Sequence, residues 1–389
     1  MERRFRTIQG GAAKQNTESF FDYTFLITVF FLLGFGLIMI YSSSSYKANL
    51  TFGDSSYYLK KQLLATVIGL VAMFAVSRIP YHTWEKFAIP GLAISIILIF
   101  MVLTPLGYEA NGARRWLNLG ISLQPAEVAK LGIILFMSYM VCTVGRGIRK
   151  PKTLIVLLLP VLFVFIIVWK ITENMSSAII IMGIAVAIIF VASPDYRKFV
   201  ILALAVVVLA SLLVYMLKQN QDASSLGFRF QRILAWLNPE AYASGKGFQT
   251  LQALYAIGSG GIFGKGLGES MQKLGFLPEA QNDMIFSIIC EELGLFGAMA
   301  VIMLFLLLIW RCMIIANNAP DLFGALLVVG VMSHFAIQVI LNIAVCTNTI
   351  PNTGISLPFI SYGGSSVVFL LIEVGLVLNV ARSIRLKEL

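Results

Sequence analysis

The sequence predicts an all-α polytopic membrane protein with about ten spans, and three observations predict it. The chain of 389 residues is 58% hydrophobic and only 12% charged, whereas soluble domains carry about 25% charged residues. Its apolar residues come in blocks of roughly 17 to 25, the length that crosses a bilayer core as a helix. The charges gather in the segments between those blocks.

The blocks fall at about 23–43, 62–78, 87–105, 122–142, 153–170, 176–192, 198–217, 283–310, 322–347 and 361–381. The first follows a polar tail and is too long for the apolar region of a cleavable signal, so it reads as a retained anchor. The second is short, and the eighth is long and begins with charges. With the N-terminus placed in the cytoplasm, the inner segments hold sixteen Lys and Arg residues against six in the short outer loops. That bias orients membrane proteins. Both termini are then cytoplasmic, as a tail 1–22 and a tail 383–389 flanking one transmembrane domain, 23–382. The segment 218–282 becomes a large extracytoplasmic loop between spans seven and eight.

Composition also excludes several classes. The net charge of +10 follows from the loops, and no basic face interleaved with aromatics exists, so nucleic acid is not a partner. Cys142, Cys290, Cys312 and Cys346 lie in or beside apolar blocks without CxxC spacing. They read as packing residues rather than metal ligands or disulfides. No repeat of 20–50 residues marks a solenoid. No inverted repeat of two halves is visible, which counts against the common transporter plan.

Three polar constellations stand out, all on the outer side. In GFLPEAQNDMIFSIICEELG (275–294), a polar loop becomes an apolar helix at Asp283. A carboxylate at the edge of a span is costly. With a helix starting near Asn282, Asp283 lies in its first turn, where the dipole favours an acid. It is then either a terminal cap or a group placed for chemistry. Glu291 and Glu292, deeper in the span, need partners. Before them, GSGGIFGKGLG (258–268) has the glycine density that lets backbone N–H groups approach an anion, and Lys265 adds charge. It is not a Walker loop, and glycines serving positive φ angles are an equal reading.

The second constellation is NGARRWLNLGISLQPAEVAK (111–130). Arg114 and Arg115 beside Trp116 suit an anionic headgroup at the lipid surface. Pro125 suits a helix start. Glu127 and Lys130, three apart inside the fourth span, can pair as a functional group or a structural lock. The third is NTGISLPFISYGGSS (352–366), where proline and glycines break the helix. Ser365 and Ser366 either cap the last helix or line a cavity with irregular backbone.

A cleft of this kind suits a lipid-anchored substrate with an anionic headgroup. A sugar linked through pyrophosphate to a polyprenol arrives already activated, and cations stabilise its leaving group. One carboxylate acting as general base on an acceptor hydroxyl then suffices.

These motifs make the chain similar to the SEDS family of polytopic glycosyltransferases, whose members include FtsW, RodA and SpoVE. The resemblance runs from Phe21 to Arg382. It rests on GARRW with QPAEVAK, on the stretch QTLQALYAIGSGG through EELG, and on LPFISYGGSS. The wording QKLGFLPEAQNDMIF is nearest the FtsW and SpoVE branch, which favours division or sporulation over elongation. The resemblance implies ten spans and polymerisation of lipid II into β-1,4 glycan strands, with release of undecaprenyl pyrophosphate. It implies Asp283 as general base, and Arg114, Arg115, Trp116, Gln252, Lys265, Glu279 and Ser365 as substrate-binding residues. It implies a divalent cation (Mg or Mn), no organic cofactor, and a class B penicillin-binding protein and other divisome membrane proteins as partners. The location implied is the bacterial plasma membrane, with the active site on its extracytoplasmic face. Two departures are visible. Ala126 stands where the family often has Ser, and Asn174 stands where it often has Asp, beside Glu173. Competing readings are a lipid II flippase and a non-catalytic scaffold of the division complex.

Overall fold

The computed structural model describes residues 22–384, apart from 111–112, 119, 121, 220–227 and 246. The two predicted tails therefore lie almost wholly outside the described residues. So do Asn111, Lys246 and the side chains of Lys218, Arg229 and Arg232.

Ten helices are long and apolar enough to cross a membrane, and the protein is a multi-pass membrane protein. The spans are α1 (Tyr23–Phe52), α2 (Tyr57–Arg78), α3 (Ala88–Met101) with the 3-10 helix Tyr81–Phe87 that leads into it, α4 (Pro125–Val144), α5 (Pro151–Ile171), α6 (Met175–Ala192), α7 (Arg197–Gln219), α10 (Ile285–Asn317), α11 (Leu322–Cys346) and α12 (Gly364–Arg382). Two shorter helices, α8 (Phe228–Leu237) and α9 (Phe248–Gly260), lie in the segment before α10. The helical ten-span plan carries one small addition. Residues between α3 and α4 form a three-stranded antiparallel sheet, β1 (Gly107–Ala110), β2 (Ala113–Asn118) and β3 (Ser122–Leu123). Its strands are too short and too polar for hydropathy to signal.

Helix ends follow their capping residues. Asp22 caps α1 by accepting from Phe25 N at 2.9 Å, and Arg311 of α10 clamps the same carboxylate at 2.7 Å. Asp321 caps α11 through Gly324 N at 2.8 Å. Pro125 opens α4. Helices α11 and α12 form the centre, with α4, α6 and α10 around them. In contrast, α7 has none of its apolar window buried. Helices α2 and α12 pack closely because Gly375 faces the α2 backbone. A Cβ there would stand 2.6 Å from Met73 O. Without a hydrophobic drive between helices in lipid, such small-residue contacts supply the packing.

Helix α10 is broken. Gly294 has φ 66° and ψ −163° inside it. The freed backbone groups pair with the glycine-rich loop. Lys265 N donates to Glu291 O at 3.0 Å, Gly266 N to Glu292 O at 2.9 Å, and Leu295 N to Gly261 O at 3.0 Å. Irregular backbone at membrane depth is tolerated where protein satisfies it. Gly264 (φ +80°) and Gly294 allow the contact, since a Cβ on Gly264 would lie 2.2 Å from Glu292 O. The loop read as an anion cradle thus spends these amides on the helix break.

Candidate active site

Asp283 sits in a turn at one end of the bundle, two residues ahead of Ile285, the first residue of α10. It is therefore not in the helix's first turn, as expected from sequence. Met284 occupies the N-cap position and no side chain caps α10. Neighbouring elements grip the backbone of this turn. Asn342 Nδ2 donates to Asp283 O at 2.8 Å, and Cys346 Sγ lies 3.4 Å from the same oxygen. Ser361 Oγ donates to Asn282 O at 2.6 Å, and Tyr362 N to Gln281 O at 2.9 Å. The carboxylate lies against Gly354, where a Cβ would meet its Oδ2 at 3.7 Å.

Arg115 of β2 shares this site, and Arg114 does not. A register shift between Tyr108 and Glu109 leaves Arg115 as the extra, unpaired residue of β2, and such a bulge re-aims side chains. Arg114 turns back onto its own hairpin, donating from Nε to Gly107 O at 3.1 Å and from Nη2 to Thr104 O at 2.5 Å. Trp116 pairs across the sheet with Tyr108, whereas Arg114 pairs with Glu109. Arg115 is half-buried. Burial pulls its guanidinium below the ordinary arginine value, and the carboxylates of Asp283 and Glu173 act against that shift. The three groups are thus in one electrostatic neighbourhood. Glu173 has φ 51°, in the turn before α6. Ser176 Oγ ties that turn to Thr353 O, one residue from Gly354. Asn174, the departure from the family pattern, caps α6 through Ser177 N at 3.0 Å.

Lys265 is turned away from the anion role. Its Nζ lies 2.6 Å from Glu291 Oε1. Glu291 also accepts from Ser270 Oγ and from Met271 N and Gln272 N. Glu292 takes Lys273 Nζ at 2.8 Å and Ser42 Oγ at 2.7 Å. Both buried acids thus have the partners their depth demands. Glu279 (φ 54°) pairs with Lys47 Nζ at 3.6 Å and accepts from Asn282 Nδ2. Gln252 is half-buried on α9. Gln249, one turn earlier, makes the contacts. It donates to Pro278 O at 3.3 Å and accepts from Asn352 Nδ2 at 2.9 Å.

Glu127 and Lys130 pair at 2.8 Å with side chains only 6% and 2% exposed. Lys130 Nζ reaches Gln338 Oε1 at 3.4 Å, and Gln338 Nε2 donates to Ser356 O at 3.0 Å. Neither Ser365 nor Ser366 caps α12, because Gly363 holds the N-cap position and no side-chain bond forms there. Ser366 Oγ instead meets Glu127 Oε2 at 3.4 Å.

Sequence reasoning missed the polar face of α11. His334, Gln338 and Asn342 recur every four residues, which sets them on one face. His334 Nδ1 meets Glu373 Oε2 of α12 at 2.8 Å, Gln338 joins Lys130, and Asn342 holds Asp283. That spacing in an apolar helix was the available signal.

No group of three His, Cys, Asp or Glu able to hold a metal occurs among the described residues. Asp283 and Glu173 are two carboxylates acting on one arginine. Mg²⁺ takes one or two protein carboxylates when phosphate oxygens complete its shell, so a single carboxylate such as Asp283 has the chemistry to hold one beside a phosphate substrate.

Comparison with known proteins defines the lineage. The family model described as "Cell cycle protein", which takes in FtsW, RodA and SpoVE, matches residues 23–386. The chain belongs to this family. Stage V sporulation protein E of Bacillus subtilis is 40% identical over 363 residues, 93% of this chain and 97% of that protein. A Trichlorobacter lovleyi protein named "Probable peptidoglycan glycosyltransferase FtsW" is 38% identical over 371 residues, 95% of each chain. A solved structure described as "Structural coordination of polymerization and crosslinking by a peptidoglycan synthase complex" aligns with TM-score 0.75 and 26% identity. It covers 93% of this chain and 98% of that one. The Rod shape determining protein RodA of Thermus thermophilus shares the fold at TM-score 0.66 and 24% identity, over 94% and 98% of the two chains. Family membership accounts for the ten spans, and these FtsW, RodA and SpoVE relatives match it nearly end to end.

Proposed function

We propose that this protein is a peptidoglycan glycosyltransferase that polymerises lipid II, with Asp283 as general base. The observation that carries the reading is the Asp283 carboxylate, within electrostatic reach of Arg115, on backbone fixed by Asn342 and the strap 352–366. A base held by packed helices keeps the geometry that proton transfer needs.

In this reading the Asp283 carboxylate takes the proton of the acceptor's 4-hydroxyl. The freed oxygen bonds to the donor's anomeric carbon as that carbon's bond to pyrophosphate oxygen breaks. A β-1,4 linkage forms, undecaprenyl pyrophosphate leaves with the electron pair, and Asp283 returns its proton to water. Arg115 offsets charge on the departing group. A Mg or Mn ion held by Asp283 or Glu173 with substrate phosphates would supply further charge stabilisation. The charge bias of the loops supports placing the Asp283 end outside the bacterial plasma membrane, with both termini in the cytoplasm. The likeness to FtsW, to SpoVE and to a chain of a peptidoglycan synthase complex supports work in division or sporulation. It also supports assembly with a class B penicillin-binding protein and other divisome membrane proteins.

The test is lipid II polymerisation by the purified protein, with and without that partner. Asp283→Asn should yield no polymer while its thermal unfolding and partner binding match the parent. Normal polymer from that variant would sink the mechanism. Lipid II transfer across vesicles without any polymer would favour a flippase. Activity of the complex that survives loss of Asp283 would favour a scaffold.

A further inference from the structure

We propose that the adjoining N-termini of α4 and α12 form a diphosphate subsite, which on the reading above receives the pyrophosphate of the polyprenyl-linked donor. Both helices are long, and neither start is capped by a side chain. In α12 the first-turn N–H groups of Gly364, Ser365 and Ser366 have no carbonyl within the helix to bond. The two starts meet where Ser366 Oγ reaches Glu127 Oε2, in the first turn of α4, at 3.4 Å. Two dipoles thus present their positive ends to one place, and α12 supplies the free N–H groups, since α4 opens on Pro125 and Glu127 N bonds Gln124 O at 3.0 Å.

A second observation points to a ligand. Ser365 is only 6% exposed, and its Oγ makes no hydrogen bond among the described residues. Buried hydroxyls are nearly always partnered. This one sits in the first turn of α12, on the residue whose N–H is also free of the helix ladder. A phosphate oxygen there satisfies both groups at once.

The local charge agrees. The Glu127 carboxylate alone would repel a phosphate. Lys130 Nζ at 2.8 Å cancels that charge and leaves the helix dipoles as the net field. Gly363 N is already taken by Gln62 Oε1 at 3.0 Å, so the subsite begins at Gly364. Position agrees as well. Ser361 and Tyr362, immediately before α12, bond the carbonyls of Asn282 and Gln281, immediately before Asp283. One pair of loops therefore sets the distance between the base and the leaving group.

The test measures binding to the full-length protein in detergent. The ligands are undecaprenyl pyrophosphate and inorganic pyrophosphate, and the proteins are the parent, Ser365→Ala and Ser365→Asp. Removing the hydroxyl should weaken binding about tenfold. A carboxylate in the first turn suits the helix dipole and so keeps α12 stable, yet it should weaken diphosphate binding about a hundredfold through like-charge repulsion. Unchanged melting temperatures would set these losses apart from a packing defect. If Ser365→Asp does not fold, Ser365→Ala decides alone. A loss confined to the lipid-linked ligand identifies the donor headgroup as the source, and a loss for both identifies any diphosphate. Equal affinities across the three proteins, or no binding by the parent, overturn the subsite. A parallel polymerisation assay separates the two proposals. Polymer with equal affinities removes the subsite and keeps the transferase, whereas Ser365-dependent binding without polymer does the reverse.

Discussion

Asn342 Nδ2 donates to the carbonyl of Asp283 at 2.8 Å and to that of Ile355 at 2.6 Å. One fully buried side chain of α11 therefore joins the turn bearing the proposed base to the strap that faces it. The join sits at the end of a polar row whose other members, His334 and Gln338, tie α11 to α12 and α4.

Replacing Asn342 by Leu leaves two carbonyls without this donor. Each buried orphan costs about 1–3 kcal/mol, so the melting temperature should fall. The larger effect should be on turnover. The variant's kcat should drop by about tenfold or more, because a displaced base loses hydrogen-bond reach, while KM for lipid II changes little. A steady-state titration of lipid II separates these outcomes. A change in KM alone would show that Asn342 serves binding instead.

Arg114 and Arg115 are neighbours with different work, and substitution should separate them. Arg114→Ala removes two bonds to carbonyls of the hairpin. It should lower stability by about 1 kcal/mol, because water reaches the freed carbonyls at this exposed edge, with activity near that of the parent. Arg115→Ala should leave the melting temperature close to the parent's and cut kcat/KM by about a hundredfold. Arg115→Lys should recover only part, because an ammonium lacks the fork that holds two phosphate oxygens. Melting curves and initial rates on the same preparations check all three variants.

The Glu127–Lys130 pair is dry, so breaking it should cost more than deleting it. Lys130→Met leaves a buried carboxylate whose remaining neighbour is Ser366, and should cost about 3–5 kcal/mol. Pairing Lys130→Met with Glu127→Leu should recover most of that loss. Chemical denaturation of the four proteins gives the coupling directly. If the α4–α12 subsite is right, the double variant should fold well and bind diphosphate about as tightly as the parent, whereas Lys130→Met alone should bind it less tightly because Glu127 is left uncancelled.

Gly264→Ala tests the seam at the break in α10. The new methyl would stand 2.2 Å from Glu292 O at a φ of +80°. Adopting that backbone alone costs about 1–3 kcal/mol, before the clash is counted. Sharply lower yield of folded protein is expected. Gly258→Ala, where nothing lies within 4 Å of the added carbon, should behave like the parent.

The spans were legible because lipid demands long apolar runs, and no other structure satisfies the backbone there. Asp283 and the Glu127–Lys130 pair were legible because charge beside lipid needs a reason. The partners were harder to read. A glycine string announces positive φ angles without saying what approaches it, so GSGGIFGKGLG looked like an anion cradle and proved to be a splice for α10. Arg114 and Arg115 looked like one basic patch because hydropathy shows neither a six-residue strand nor the bulge that sets Arg115 apart within it. Asn342 and Gln338 were passed over because single amides in an apolar helix are unremarkable until their four-residue spacing is counted.

The break at Gly294 has a mechanical consequence. Below it, α10 is a lipid-facing rod, with Leu295, Phe296 and Met299 exposed and Arg311 anchored to Asp22. Above it, a stub from Ile285 to Leu293 is bolted by Glu291 and Glu292 to residues 265–273 and to Ser42. A bilayer that thickens or thins pulls on the rod through its exposed apolar length. The stub, fastened to residues 265–273 as well as to α1, is held on a second side that the rod does not share. The geometry around Asp283 should therefore hold across membranes of different thickness, with the glycine seam acting as a compliant joint between a tilting anchor and a rigid workbench.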